Sequence, residues 1–251
     1  MTPRRPALLS AAGLIAFLGV WEGAVRSGAL PSAFVPAPSA VPLALVAEIR
    51  DGLWTTAVAD SLTHYATGVI GGSLLGIAAG AAVALLPRFA AAQAWVARVL
   101  RPIPPLAWIP FALIWFGASE TAAAFIIGIG VFWLNYFAAL AAVRAVDPGL
   151  IELARAFGQG GFFRRLVKVV LPAASPGILS GVRSGLGQGW MAVVAAELFG
   201  IPGIGQRMTE ASGLLATDVL VLYMLTIAAL YGATDLVFER IASRVLAWTQ
   251  P

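Results

Sequence analysis

Residues Leu62 to Leu86 read LTHYATGVIGGSLLGIAAGAAVALL, a stretch without one aspartate, glutamate, lysine or arginine. A helix that crosses the hydrocarbon core of a bilayer needs about 20 consecutive, mostly apolar residues, and this stretch supplies them. Within it Gly68, Gly72, Gly76 and Gly80 recur every four residues, so they share one helix face. Lipid provides little hydrophobic drive between helices, and close backbone approach over small residues provides the packing contact instead. The stretch is read as a membrane span with one smooth face.

The rest of the chain repeats the theme. Of 251 residues, 60% are hydrophobic and 11% charged, against roughly a quarter charged in a soluble domain; mean hydropathy is +0.89. Five further segments read as spans: Leu8 to Val25, Ile103 to Phe116, Thr121 to Val143, Ala174 to Phe199 and Val219 to Ala242. The expected fold class is all-α integral membrane with about six transmembrane helices. The Ile103 segment is short and has Pro102, Pro104, Pro105 and Pro110 in or beside it, so a kink inside the bundle is expected. A second ladder, Gly177, Gly181, Gly185 and Gly189, runs through the fifth span. Both ladders are expected at tight crossings, and smooth faces also suit helices that rock against each other.

The chain begins Met1-Thr-Pro-Arg-Arg-Pro before an apolar run from Ala7 to Val20. That is the layout of a secretory signal peptide as well as of a first membrane helix. The spans that follow, and the lack of a small-x-small cleavage site at the right place, favour the helix. No cysteine is present, which excludes disulfides, thiolate metal sites and cysteine nucleophiles. The lone histidine, His64, cannot make a histidine metal cluster, and no catalytic or metal site is expected. A net charge of +4 and a pI of about 10.1 do not point to nucleic acid, because the basic residues fall between apolar segments as topology signals do.

With six spans both termini share a side. If that side is the cytoplasm it holds Arg4, Arg5, Arg88, Arg98, Arg101, Arg144, Arg155, Arg164, Arg165, Lys168, Arg240 and Arg244, which is 12 of the 16 basic residues. Arg26, Arg50 and Arg207 fall outside and Arg183 lies within a span. This bias predicts cytoplasmic N and C termini in a bacterial inner membrane. Ser27 to Asp60 is then periplasmic, with a proline-rich start, LPSAFVPAPSAVP, and an amphipathic helix over Pro42 to Leu53. The expected organisation is an N-terminal span with this external segment, residues 1–60, and a five-helix core, 61–251, that includes an inner loop at 144–172.

That loop has a definite grammar. Asp147-Pro148 starts a helix, with Asp147 as cap and Pro148 in the first turn. Glu152-Leu-Ala-Arg-Ala-Phe-Gly158 then gives a short helix ended by glycine. Phe162 to Val170 is basic and amphipathic, and Leu171-Pro172 is expected to stop it where the fifth span begins.

Glu152, Ala154, Gly158, Leu171 and Pro172 make the segment similar to the EAA loop of ABC importer permeases, with Leu153 in place of the second alanine. The interval from Gly158 to Pro172 is one residue longer than in that pattern. One residue rotates a helix by about 100°, so the excess is expected in Gln159-Gly160-Gly161. LPSAFVPAPSAV, RPIPPLAWIPFALIWFG, VRAVDPGLIELARAFG, GVRSGLGQGWMAVVAAELFG and the closing helix extend the resemblance to the nitrate, sulfonate, taurine and bicarbonate branch of these permeases. His64 departs from it, standing where that branch is expected to have arginine.

The resemblance implies a type I, MetI-like permease fold that works as a homodimer. It implies two cytoplasmic ABC ATPase subunits, which bind ATP and Mg, and a periplasmic or lipid-anchored substrate-binding protein. No cofactor on this chain is implied, in keeping with the lack of a Gly-x4-Gly-Lys-Ser/Thr phosphate loop. Glu152, Ala154, Arg155 and Gly158 are then the ATPase-coupling residues: Glu152 would orient the helix in a groove of the ATPase, and Ala154 and Gly158 would permit close contact. The implied substrate is a small oxyanion or sulfonate, with heterocyclic vitamin precursors left open.

Arg183, Trp190 and Glu197 are the candidates for pathway or gate. A cation inside a span is costly unless paired, hydrated or facing a cavity, so Arg183 lines the pathway and attracts an anionic substrate, pairs with Asp235, or reaches toward the cytoplasm. Glu197, near the outer end of its span, meets a binding protein, a gate residue or water. Trp190 either packs or shapes the pathway. A membrane-embedded enzyme would need a convergent set of carboxylates and histidines, and a channel or secondary transporter working alone would need no docking loop.

Overall fold

The computed structural model describes residues 4–158 and 161–249, and every regular element among them is helical. In chain order these are α1 (Arg4–Arg26), α2 (Ala40–Arg50), α3 (Leu53–Leu85), α4 (Pro87–Leu100), α5 (Ile109–Phe116) and α6 (Glu120–Arg144). There follow α7 (Pro148–Ala156), α8 (Phe162–Arg165), α9 (Leu171–Glu197), α10 (Ile204–Gly213) and α11 (Thr217–Val245). Among the described residues four helical runs are long and apolar enough to cross a membrane: Leu53–Leu85, Glu120–Arg144, Phe162–Glu197 and Thr217–Val245. A fifth is formed if Pro87–Leu100 and Pro105–Phe116, bent by 91°, count as one broken span. α1 coincides with the first expected segment.

Three expectations are corrected. The helix that carries the second span begins at Leu53, nine residues before the expected span, because Gly52, with φ of +75°, ends α2 at once and Thr55 and Thr56 donate back to its carbonyl at 2.9 Å. At 33 residues and 1.5 Å per residue, α3 is about 50 Å long, well beyond a hydrocarbon core of about 30 Å. The Ile103 segment is no independent span: a 3-10 turn, Pro105–Trp108, leads into the eight residues of α5. Pro105 and Pro110 each sit in the first turn of their elements, where a missing N–H costs nothing.

The third correction concerns Leu171-Pro172, which does not stop a helix. Phe162 to Glu197 is one continuous helical run, with a π turn at Leu166–Val170 between α8 and α9. Pro172 lies in the first turn of α9, and the wider π turn just before it shifts the hydrogen-bond register around the missing donor.

The chain divides into two compact units. One comprises the described residues up to Asp60 together with Pro202–Ala228. In it Glu22 of α1 accepts from Arg26 Nε at 2.5 Å, from the Ser39 amide at 3.1 Å and from Ser39 Oγ at 2.8 Å, which ties α1 to the start of α2. α2 buries Val41, Ala44 and Glu48, positions three and four apart on one face. Val41 and Ala44 pack with Leu222 and Trp54. Glu48 accepts from Tyr223 Oη at 2.6 Å and from Arg207 Nη2 at 2.9 Å, and Arg207 also pairs with Glu210. Burial lowers the Arg207 pKa, but its hydrogen bonds and the Glu48 charge outweigh that and raise it overall, so this residue of α10 stays cationic.

The other unit comprises Ser61–Ile201 and Ala229–Pro251. α6 is its centre. From one side the α3 ladder presses on it: a Cβ at Gly72 would come within 2.5 Å of the Gly128 carbonyl, and one at Gly76 equally near the Phe132 carbonyl. Gly68 abuts Ile127 and Gly80 abuts Tyr136. The α9 ladder meets α6 as well, with Gly177 against Ala142, Gly181 against Ala138 and Gly185 against Asn135. Gly189 lies over Val69 and Tyr65 of α3.

Candidate functional site: the inner loop and buried polar groups of the core

α7 begins as its sequence dictates. Asp147 Oδ1 accepts from the Gly149 amide at 2.8 Å and Pro148 occupies the first turn. It ends at Gly158, whose φ of +76° lies in the left-handed region that favours glycine. Ile151 packs into a cluster of Val143, Val146, Val170 and Ala174, which seats α7 on the junction of α6 and α9. The opposite stripe is uncovered: Leu150, Leu153 and Phe157, at helical spacing, are 44%, 53% and 76% exposed. Glu152 and Arg155 are exposed beside them, Ala154 is half-buried, and Phe163 stands out just beyond.

A π turn takes up one residue more than an α turn of the same length. The π turn at Leu166–Val170 therefore takes up one residue within the continuous helical run. Gln159 and Gly160, where the residue in excess of the EAA spacing is expected from sequence, lie outside the described residues.

Glu197 does not face water. It is fully buried, accepts from Ser61 Oγ at 2.8 and 2.9 Å, and has His64 Nδ1 3.0 Å from its Oε1. Ser61 and His64, three residues apart on α3, both turn towards the carboxylate. A buried carboxylate is tolerated only with such donors around it.

Trp190 is also buried, stacked on Tyr65 with centroids 4.4 Å apart, and its indole donates to Thr234 Oγ1 at 3.2 Å. Arg183 pairs with Asp235 of α11 in a two-pronged contact, Nε to Oδ1 at 2.9 Å and Nη2 to Oδ2 at 2.8 Å. Its side chain is nevertheless 51% exposed. The structure thus brings Ser61, His64 and Glu197 together and keeps Arg183 with Asp235 as a separate pair.

Asn135 completes the polar set. The chain's single asparagine, it is buried in α6 and donates to Ser73 Oγ at 3.2 Å and to the Val131 carbonyl at 3.1 Å. Its own Oδ1 has no partner. A lone amide in an apolar span is the sequence signal that marks it. Among the described residues no group of three or more histidine, cysteine, aspartate or glutamate side chains could hold a metal ion.

A multi-span helical bundle with glycine-packed crossings, a few internal polar groups and an amphipathic helix on one loop is a membrane transport component. Residues 72–247 match the family described as the binding-protein-dependent transport system inner membrane component. The chain belongs to that family and is the permease subunit of an ABC importer. It is 32% identical over 250 residues to the taurine transport system permease protein TauC of Escherichia coli (strain K12), covering 97% of this chain and 90% of that one. It is 32% identical over 261 residues to the bicarbonate transport system permease protein CmpB of Synechococcus elongatus, covering 96% and 88%. The fold matches a chain of the MetNI methionine ABC transporter in an inward-facing conformation, with a TM-score of 0.68 over 79% of this chain and 98% of that one, at 19% identity.

Proposed function

We propose that two copies of this chain form the translocation pathway of a bacterial inner-membrane importer whose α7 receives force from two cytoplasmic ABC ATPase subunits. ATP and Mg belong to those subunits. A periplasmic or lipid-anchored binding protein delivers the substrate, a small oxyanion or sulfonate. The distribution of basic residues supports cytoplasmic N and C termini.

One observation carries this reading: the stripe of Leu150, Leu153 and Phe157 is uncovered beside Glu152 while Ile151 anchors the same helix to α6 and α9. An apolar stripe on a loop outside the spans needs a partner to cover it, and a helix seated at the foot of two spans is placed to move them. Taurine and bicarbonate in the names of the relatives support a small substrate that carries a sulfonate or other oxyanion group. Arg183 is the residue proposed to favour it, through the exposed part of its guanidinium.

The test is co-purification of the chain with the ATPase produced beside it. Retention of the ATPase by the native chain, and its loss on Glu152→Arg, is the expected result; retention by both excludes α7 as the docking element. Calorimetry on the cognate binding protein then identifies the ligand, with a small oxyanion or sulfonate expected.

A further inference from the structure

Three arginines outside any ion pair among the described residues meet at one lip of the unit built around α6. Arg98 and Arg101, at the end of α4, and Arg144, the last residue of α6, line a cleft of about 620 Å³ whose other walls include Val83, Phe137 and Leu140. No aspartate or glutamate lines it. All three side chains are exposed, and among the described residues none is in an ion pair. Two of the guanidiniums are held in place: Arg98 lies 4.7 Å from the centre of the Trp95 ring and Arg101 4.3 Å from that of Phe137. Stacking on a ring fixes the planar group and leaves its N–H donors pointing outward.

α4 divides into three stripes. Ala90, Gln93, Ala97 and Leu100, at helical spacing, are its covered positions. Phe89, Val96 and Val99 stand on one flank, 45%, 55% and 61% exposed. Ala94, Arg98 and Arg101 take the other. From Pro87 to Arg101 the segment holds three arginines and no acidic residue. Water would solvate the arginines but leave Phe89, Val96 and Val99 uncovered, and so would a soluble anion. A lipid surface supplies both an acceptor for the cations and hydrocarbon for the apolar flank.

We propose that the Arg98, Arg101 and Arg144 cleft binds the phosphate of an anionic phospholipid headgroup in the cytoplasmic leaflet. A phosphodiester is an acceptor-only anion that guanidinium forks match well, and basic pockets between helices on the cytoplasmic side suit such headgroups. Val83, Phe137 and Leu140 give the start of the acyl chains an apolar wall. Arg144 stands three residues before the Asp147 cap of α7, so an occupied cleft steadies the base of the coupling loop. The inference rests on the proposed orientation of the chain.

The test uses the purified full chain in detergent, titrated with phosphatidylglycerol or phosphatidylcholine and read by native mass spectrometry. Binding of phosphatidylglycerol and not phosphatidylcholine is expected. Affinity should fall about fivefold with Arg144→Gln and on the order of thirtyfold with Arg98→Gln and Arg101→Gln together. Arg88→Gln, on the same helix but outside the cleft, should leave it unchanged. Undiminished binding in both cleft variants overturns the proposal. So does displacement by inorganic phosphate at matching concentration, which would mark a site for free anions, or an unchanged lipid affinity with loss of the ATPase, which would mark a protein contact. Orientation is read separately from Ala91→Cys, the sole thiol in the chain: labelling from the cytoplasmic face is expected, and labelling from the outer face removes the leaflet assignment while leaving the affinity result intact.

Discussion

His64 Nδ1 lies 3.0 Å from Glu197 Oε1, and the two side chains are 2% and 0% exposed. The contact joins α3 to the end of α9, 133 residues away in sequence, and Ser61 adds a second donor to the same carboxylate. Breaking a buried hydrogen bond so that one partner is left unsatisfied costs about 1 to 3 kcal/mol. His64→Leu should therefore lower unfolding stability by about 2 kcal/mol, and Glu197→Gln by about 1 kcal/mol because the amide still accepts from Ser61. The double variant should lose less than the two single losses added together. Denaturation in detergent measures all three, and strict additivity would mean the groups do not interact.

The glycine ladders make a position-specific prediction. Gly71 and Gly72 are adjacent on α3, yet a Cβ at Gly71 meets nothing within 4 Å and one at Gly72 would sit 2.5 Å from the Gly128 carbonyl and 2.9 Å from its Cα. Those atoms are backbone and cannot swing aside. Gly72→Ala should cost about 1 to 3 kcal/mol, whereas Gly71→Ala should be neutral or stabilise the helix by about 0.5 to 1 kcal/mol. Equal losses at both positions would show that α3 does not approach α6 over this face.

The spans were legible because each is a long apolar run bounded by charge or proline. α4 was not: its alanines and arginines lack both the length of a span and the punctuation of a loop, and its role shows only in the three stripes that packing creates. The first eight residues of α3 carry Asp60 and the paired threonines Thr55 and Thr56, which imitate loop composition. The inner loop was readable because its signals are local, with cap, proline and glycine within a dozen residues. Glu197 and its partners come from segments more than a hundred residues apart, and no spacing rule connects them. The π turn leaves no mark in residue type, since Leu166 to Val170 would suit an ordinary α turn equally well.

The anchoring of α7 can be tested apart from docking. Asp147→Ala removes the side-chain bond to the Gly149 amide, and a lost cap costs about 1 kcal/mol. Gly158→Ala forces a side chain into the left-handed region at a cost of about 1 to 2 kcal/mol. Both should speed amide exchange within Pro148–Ala156 and leave the spans protected. Phe157→Asp should do the opposite: at 76% exposure its ring contributes little to the isolated fold, so protection stays while ATPase retention falls. Faster exchange in Phe157→Asp would mean that the ring packs on its own chain.

Arg183 and Asp235 provide the sharpest separation of structure from transport. The pair is two-pronged, but the side chains are 51% and 24% exposed, and an ion pair open to solvent contributes little to stability. Arg183→Gln should therefore leave the unfolding transition in detergent nearly unchanged. If the cation draws an anionic substrate inward, uptake should fall in Arg183→Gln and not in Asp235→Asn, which leaves the positive charge in place. The exchanged pair, Arg183→Asp with Asp235→Arg, restores the attraction between α9 and α11 while moving the cation to the other helix. A purely structural pair would regain uptake on exchange. A pathway cation would not, because the guanidinium's place on α9 is then what the substrate senses.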